Sequence, residues 1–502
     1  MNLWNKEENI ISFILEMGYK SLYGLNTLCD LFIHSLYPRI YSKRYCESME
    51  GEMKSKYKKK NFSSFQIISL GFFIVILTGG FLLMLPISTK GPGGAPFLDA
   101  MFTSTSAVCV TGLVVHDTAT YWSYFGQFVI LLLIQIGGMG VVTVAVSIAM
   151  FAGRKIGLMQ RNTMREAIAA HHVGGIVRMT GFILKTTLCI ELIGAALMAP
   201  VFCKDFGFFK GLWYAIFHSV SAFCNAGFDL LGVRGEFSSI TTYASQPIIN
   251  LTIMVLIVTG GIGFLTWEDI KTNKFHIRKY RMQSKVILTV TSLLILLPAI
   301  YFFFVEFTQE QWSDLSLYEK ILASFFQSVT PRTAGFNSVD LTLFTEAGIM
   351  IMIVLMLTGG SPGSTAGGMK TTTVAVLFAS TASVFRRREN AQFFHRRISK
   401  STVNDAATIL LMYVVLFLTG GIIISCVEDI PILTCLFETA SAIGTVGLTL
   451  GITTEVGVVS HLILMLLMFW GRVGGLTLVF AAISGKHHIE VGKFPEEKIT
   501  VG

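Results

Sequence analysis

One short run of residues is written four times along this chain, and each copy ends in a glycine followed by a bulky apolar residue. The copies read TSTSAVCVTGL at 103–113, HSVSAFCNAGF at 218–228, FQSVTPRTAGF at 326–336 and ETASAIGTVGL at 438–448. Their glycines, Gly112, Gly227, Gly335 and Gly447, follow one another at intervals of 115, 108 and 112 residues, and a phenylalanine stands ten positions before each, at Phe102, Phe217, Phe325 and Phe437. Self-similarity at a fixed period marks copies of one structural unit. A glycine at one level of every unit marks a backbone position that a side chain would obstruct. The expectation is four quarters disposed around one axis.

The quarters are expected to lie in a membrane. Of 502 residues 52% are hydrophobic and only 14% charged, with a mean hydropathy of +0.64, whereas soluble domains carry about 25% charged residues. Apolar stretches close to the ~20 residues a spanning helix needs run over 65–85, 125–151, 180–202, 247–267, 286–305, 347–385 with a break, 406–427 and 457–483. That gives eight spans, two per unit. The chain divides into a basic amino-terminal segment 1–61, repeats at 62–152, 153–270, 271–385 and 386–485, and a tail 486–502. Residues 1–60 show no cleavable signal pattern. Basic residues gather before the first span (Lys54, Lys56, Lys58, Lys59, Lys60) and in the links after even spans, so the positive-inside bias predicts a multi-pass plasma-membrane protein with both termini cytoplasmic and the glycine segments outside.

The net charge of +8 lies mostly in those short links, which favours a topological origin over nucleic-acid binding and leaves contact with anionic membrane lipid or an acidic partner open. Acidic residues, among them Asp99, Asp117, Asp205, Asp229, Glu306, Glu428 and Glu438, gather in the outer segments. Two readings stand: a mouth that concentrates cations, or ordinary solvated loops. The eight cysteines are scattered without a metal-ligand or disulfide spacing.

Within a unit the order is a spanning helix, a short helix, the glycine segment and a second spanning helix. A short helix that enters from outside and stops midway points its carbonyl end, with its partial negative charge, at the membrane centre. Extended backbone there is tolerated only when buried in protein or lining a watery cavity. A ring of carbonyl oxygens replaces the water shell of a dehydrated monovalent cation, so four glycine segments in register are expected to form an ion filter.

With SAxxxxG before a bulky apolar residue in a fourfold pattern, residues 62–502 resemble the membrane subunit of the Trk, Ktr and HKT superfamily of potassium transporters, and most resemble the Ktr type. The terminal KFPEEKITVG at 493–502 is similar to the Ktr-type tail. The resemblance implies an all-α membrane protein whose four tandem helix, pore-helix, filter and helix repeats surround one pore in pseudo-fourfold arrangement. It further implies a homodimer with one pore per subunit, governed by a cytosolic ring of RCK-type subunits that bind nucleotide. Carried over position by position, the filter carbonyls belong to Val110, Thr111 and Gly112; Asn225, Ala226 and Gly227; Thr333, Ala334 and Gly335; and Thr445, Val446 and Gly447. A serine at the first filter position goes with sodium preference in the plant branch; Gly112 stands there in this chain, which implies potassium as the transported ion. Whether sodium accompanies or stimulates it stays open, and no organic cofactor is expected. The third copy departs most: Pro331 is expected to end its short helix early, and Arg332 either approaches the pathway or turns away.

The sixth span carries TGGSPGSTAGGMKTTT at 358–373. Glycine and proline oppose a regular helix there, so the span should be broken. As a phosphate loop the stretch lacks a Gly-Lys pair and a preceding strand. Two readings remain, a passive kink or a movable gate, and the family resemblance implies a gate formed by Gly359, Gly360, Ser361, Pro362, Gly363, Ser364, Thr365, Ala366, Gly367 and Gly368. Lys370 would plug the path or anchor the loop. Arg472 lies inside the eighth span, where a charge is expensive and usually faces a cavity or partner. Its offset of 25 residues from Gly447 places it level with Gly360, and it is expected either to raise a positive barrier beside the loop, limiting flux or donating to its carbonyls, or to snorkel or form a structural ion pair.

No residue pattern supports covalent catalysis, so the chain is not expected to be an enzyme. A gated potassium conduit is the leading reading, and the potassium-binding membrane subunit of an ATP-driven, Kdp-like pump is the alternative.

Overall fold

The computed structural model describes residues 63–153, 156–168 and 175–474. The amino-terminal segment 1–61, the basic residues Arg154 and Lys155, the carboxy-terminal part of the eighth apolar stretch and the tail 486–502 lie outside the described residues. Apart from one small hairpin, in which β1 (Gln392–Phe393) pairs antiparallel with β2 (Arg396–Arg397), the regular structure of the described residues is helical.

The first unit opens with α1 (Ser64–Leu83), whose start is fixed by a capping box: Ser63 Oγ accepts the Gln66 N–H, and Gln66 Oε1 accepts the Ser63 N–H. The short α2 (Phe97–Cys109) begins directly after Pro96, and α3 (Tyr124–Met139) starts on the Ser123 hydroxyl. The apolar stretch read as one span over 125–151 is instead bent by 98° at Gly140 into α4 (Val141–Phe151). After α5 (Leu158–Ala167), the second unit repeats the order with α6 (Ile176–Phe206), α7 (Phe208–Cys224) and α8 (Pro247–Gly261), bent by 96° into α9 (Phe264–Asn273). The third has α10 (Met282–Tyr301), α11 (Leu317–Val329), α12 (Glu346–Leu357) and, beyond an irregular loop, α13 (Thr371–Phe385). The fourth has α14 (Lys400–Glu428), α15 (Ile432–Gly444) and α16 (Val458–Val473). Among the described residues four helices are long and apolar enough to cross a membrane, namely α1, α6, α10 extended by a π-turn to Glu306, and α14. Counting each bent pair as one span adds two more.

Neighbouring units meet by one rule. The second helix of each packs on the short helix of the next: α3 on α7, α8 on α11, α12 on α15, and α16 back on α2. Lipid offers no hydrophobic drive for helices to associate, so close approach and hydrogen bonds must hold such contacts. In the first unit Ser104 of α2 donates to Ile76 O at 2.7 Å, and a Cβ on Gly79 would stand 2.5 Å from that hydroxyl. In the second, Ser219 donates to Glu191 O at 2.6 Å beside Gly194.

Phe102, Phe217 and Phe437 are fully buried, but Phe325 is 40% exposed and Phe326 fills the core place in the third unit. The cause is a shorter link. Four residues after the buried phenylalanine each unit carries a hydroxyl, at Ser106, Ser221, Thr330 and Ser441; six residues lead from it to the glycine in three units and five in the third. Registering the copies on glycine therefore misplaced the third short helix by one residue.

The acidic residues expected on the outer side largely fasten loops, a role outside both sequence readings. The Glu306 carboxylate accepts the Thr345 N–H and hydroxyl at 3.0 and 2.7 Å, at the start of α12. Glu428 does the same for Gly457 N–H and Ser460 Oγ before α16, at 2.8 and 2.5 Å. Asp117 accepts the N–H groups of Ala119, Thr120 and Phe237.

Candidate functional site

The last turn of each short helix turns its chain into the glycine segment by a left-handed residue two positions before the glycine. Val110, Asn225, Thr333 and Thr445 have φ of 57°, 59°, 64° and 51°. For a β-branched residue such as Val110 this region is unfavourable, so the surroundings must enforce it. In three units they do so with a Schellman pattern: Thr111, Ala226 and Val446 each donate their N–H to the carbonyl five residues back, on Ser106, Ser221 and Ser441, at 2.8 Å. The same serines serve the strand beyond. Ser106 Oγ accepts Gly112 N–H and Ser441 Oγ accepts Gly447 N–H, both at 3.0 Å, while Ser221 Oγ donates to Phe228 O at 2.7 Å. In the third unit α11 ends at Val329, ahead of Pro331, and Thr330 Oγ1 donates to Phe336 O at 2.7 Å.

The four glycines close a circle. A Cβ on Gly112 would lie 2.5 Å from Ala226 O, one on Gly227 would lie 2.6 Å from Ala334 O, one on Gly335 would strike Val446 O, and one on Gly447 would strike Thr111 O. Each glycine thus faces the carbonyl just before the next glycine, and the fourth returns to the first. All four have positive φ, 97°, 69°, 81° and 90°, so no other residue fits either the space or the backbone. A cavity of about 60 Å³ touches all four glycines together with Asp117, Asp229 and Asn337. Asp229, in the loop beyond the second glycine, has its pKa raised to about 7, first by burial and then by the charge of Asp117, against the opposing Leu231 N–H.

The loop between α12 and α13 packs against the opposite ends of these segments. A Cβ on Gly367 would strike Thr445 Oγ1, and one on Gly368 would lie 2.8 Å from Gly444 O. Thr365 donates its hydroxyl to Phe223 O at 2.9 Å, and Ser361 N–H bonds Gly261 O at 2.9 Å. At the bend of the second unit, Phe264 N–H bonds Gly363 O at 2.8 Å, and a Cβ on Gly263 would lie 2.6 Å from Pro362 O. Within the loop Gly359 N–H bonds Met369 O, while Gly360 lies against Ser364 and Ala366. Arg472 crosses from α16 to donate to Thr365 O, to Gly137 O and, at 3.2 Å, to Gly138 O. No carboxylate pairs with it among the described residues. Lys370, the residue before α13, turns its ammonium onto Ala366 O and Gly367 O at 3.0 and 3.2 Å; it fastens the loop to itself. A cavity of about 240 Å³ beside the loop is lined by Pro362, Gly363, Ser364, Ala366, Lys370 and Arg472 with residues of α1 and α4.

A model of the TrkH family, described as cation transport protein, matches residues 48–488. The chain belongs to the TrkH family of cation transport proteins. Its curated relatives include the potassium/sodium uptake protein NtpJ of Enterococcus hirae, 39% identical over 456 residues that cover 90% of this chain and 99% of that protein. The Ktr system potassium uptake protein B of Bacillus subtilis is 38% identical over 417 residues, covering 83% and 92%. Among solved structures, the potassium transporter TrkH of Vibrio parahaemolyticus shares the fold, with a TM-score of 0.66 at 19% identity over 84% of this chain and 86% of that one. TrkH-family members are ion transporters, not enzymes.

Two features of this TrkH-family chain were not settled in the sequence reading: the direction of Arg332 was left open, and one motif was missed. Arg332 turns toward α10, where its Nη2 donates to Thr291 Oγ1 at 3.2 Å, while its carbonyl accepts from Asn225 Nδ2 at 3.2 Å. The second is another repeated motif: GGMG at 137–140, GGIG at 260–263, GGSPG at 359–363 and GRVG at 471–474. Its first glycine lets the second helix touch the short helix, since a Cβ on Gly137, Gly260 or Gly471 would strike the carbonyl of Val108, Phe223 or Ile443. Arg472 takes the place of the second glycine, level with Gly360, the register that its offset of 25 residues from Gly447 gives in the sequence.

Proposed function

We propose that the chain carries potassium across the plasma membrane through one pore, with the carbonyls of Val110, Thr111 and Gly112, Asn225, Ala226 and Gly227, Thr333, Ala334 and Gly335, and Thr445, Val446 and Gly447 standing in for the ion's water. The closed circle of glycines facing carbonyls carries this reading. Desolvation costs a cation its shell, and a filter answers with oxygens held at fixed places; the serine hydroxyls and left-handed turns are the means of holding them. The names of the E. hirae and B. subtilis relatives support potassium as the ion and leave sodium as a companion or stimulant.

The loop Gly359–Gly368 with Lys370 and Arg472 is the gate, lying across the path between the glycine ring and the cavity beside Arg472. The repeats run over 62–152, 153–270, 271–385 and 386–485 and supply eight spans, with the basic links and both termini cytoplasmic. The working assembly is a homodimer regulated by a cytosolic nucleotide-binding RCK-type ring. The inside-negative potential drives uptake with about 2.3 kcal/mol per charge per 100 mV.

The test is uptake in a cell deficient in potassium transport, with Gly112→Ser. Selectivity for potassium over sodium should fall. Selectivity equal to the unsubstituted chain sinks the filter assignment.

A further inference from the structure

Thr365 does more than sit in the loop. Its hydroxyl lies 2.9 Å from Phe223 O and 3.1 Å from Asn225 Oδ1, its N–H bonds Gly260 O at 3.3 Å, and its carbonyl accepts from Arg472. Thr365, Phe223 and Asn225 are fully buried. Gly260 is the only kind of residue that leaves room for this meeting, because a Cβ there would strike Phe223 O and stand 2.7 Å from both Asn225 Oδ1 and Thr365 Oγ1.

Asn225 is also one of the four left-handed residues that lead into the glycine segments, and its Nδ2 donates onward to Arg332 O in the third segment at 3.2 Å and to Ile257 O at 3.4 Å. Its counterparts make no such link. The Val110 side chain has no polar atom, and the hydroxyls of Thr333 and Thr445 find no partner among the described residues. One side chain therefore joins the loop to two of the four segments.

We propose that Thr365 and Asn225 form a latch that couples the gate to the filter, so that ion occupancy and loop position influence each other. The proposal rests on the gate and filter readings above. Phe223 O belongs to the last turn of α7, where carbonyls have no helical partner and the helix end favours a cation. While the loop is seated, the single Thr365 hydroxyl proton is shared between that oxygen and Asn225 Oδ1. A cation arriving at the foot of the filter competes for the Phe223 oxygen. Competition for one oxygen is a coupling between two sites, and such coupling is reciprocal: the ion loosens the loop as much as the loop weakens the ion.

The experiment measures potassium uptake against external potassium concentration in the full-length chain with its native assembly. Thr365→Val keeps the shape and removes the donor. It should raise the maximal rate roughly three- to tenfold, the range expected for one lost hydrogen bond, and lower the half-saturating potassium concentration. Thr365→Ser, which restores the donor, should return both quantities toward the unsubstituted values. Thr365→Ala supplies a second loss of the donor should the valine variant fail to accumulate in the membrane. On an Asn225→Gly background, where the left-handed backbone is kept and the side chain lost, the gain from Thr365→Val should shrink.

Removal of residues 363–366 separates the two levels. If that deletion raises the rate and Thr365→Val moves neither rate nor half-saturation, the latch is wrong and the gate stands. Should the deletion leave the rate unchanged as well, the gate reading falls and takes the latch with it.

Discussion

The glycine ring and the loop beneath it are both built from irregular, glycine-rich backbone, yet they are held in opposite ways. Each ring segment is tied to its own short helix over a few residues, as in the Gly112 N–H to Ser106 Oγ bond, which spans six. The loop is tied to distant parts of the chain: Thr365 to Phe223 across 142 residues and Arg472 to Thr365 across 107. Local ties form with the helix and persist while it does. Distant ties can be lost together when one element moves, without unfolding anything. On the proposed reading the ring is the fixed element and the loop the movable one.

Substitutions can break that contrast. Gly447→Ala places a Cβ against Thr111 O at a φ of 90°; left-handed strain and the clash together should lower potassium uptake on the order of 100-fold, with the protein still present in the membrane. Uptake near the unsubstituted level would mean that the ring tolerates slack it is argued not to have. Arg472→Ala removes charge-assisted bonds to Thr365 O, Gly137 O and Gly138 O, and should raise the uptake rate on the order of tenfold by freeing the loop. A reduced rate at normal abundance would place Arg472 with the ring rather than with the loop.

The smallest effect belongs to the cavity beside Asp229. With its pKa raised to about 7, Asp229 is neutral below that pH and charged above it. Any stability that follows from the raised value is complete below the ordinary carboxyl range and lost as pH rises through about 7. Attraction of cations runs the other way, growing as the carboxylate forms. Half-saturation for potassium should therefore weaken about twofold between pH 8 and pH 6, and Asp229→Asn should flatten the profile. A profile of the same steepness in that variant would assign the titration elsewhere.

The ring was legible because one constraint, space for no side chain at positive φ, selects glycine whatever its neighbours. The break in the sixth span was legible for a similar reason, since Pro362 among glycines cannot continue a helix. Three things were not. The bends at Gly140 and Gly263 lie in stretches apolar enough to pass for straight spans, and hydropathy carries no direction. The second glycine motif was diluted among 47 glycines and interrupted by the arginine that makes it interesting. The register of the third short helix slipped because the copies were set on glycine, where Phe325 takes the place that the core gives to Phe326. Residues 1–61 lie outside the described structure.

The five-residue link of the third unit makes the circle unequal. Rings assembled from identical subunits change on all sides at once, whereas a single polypeptide lets selection adjust one quadrant and spare three. An ion passing through would meet a shortened wall on one flank, backed by the only arginine in the four segments. Tuning of such an aperture would then proceed by skewing it rather than by widening it.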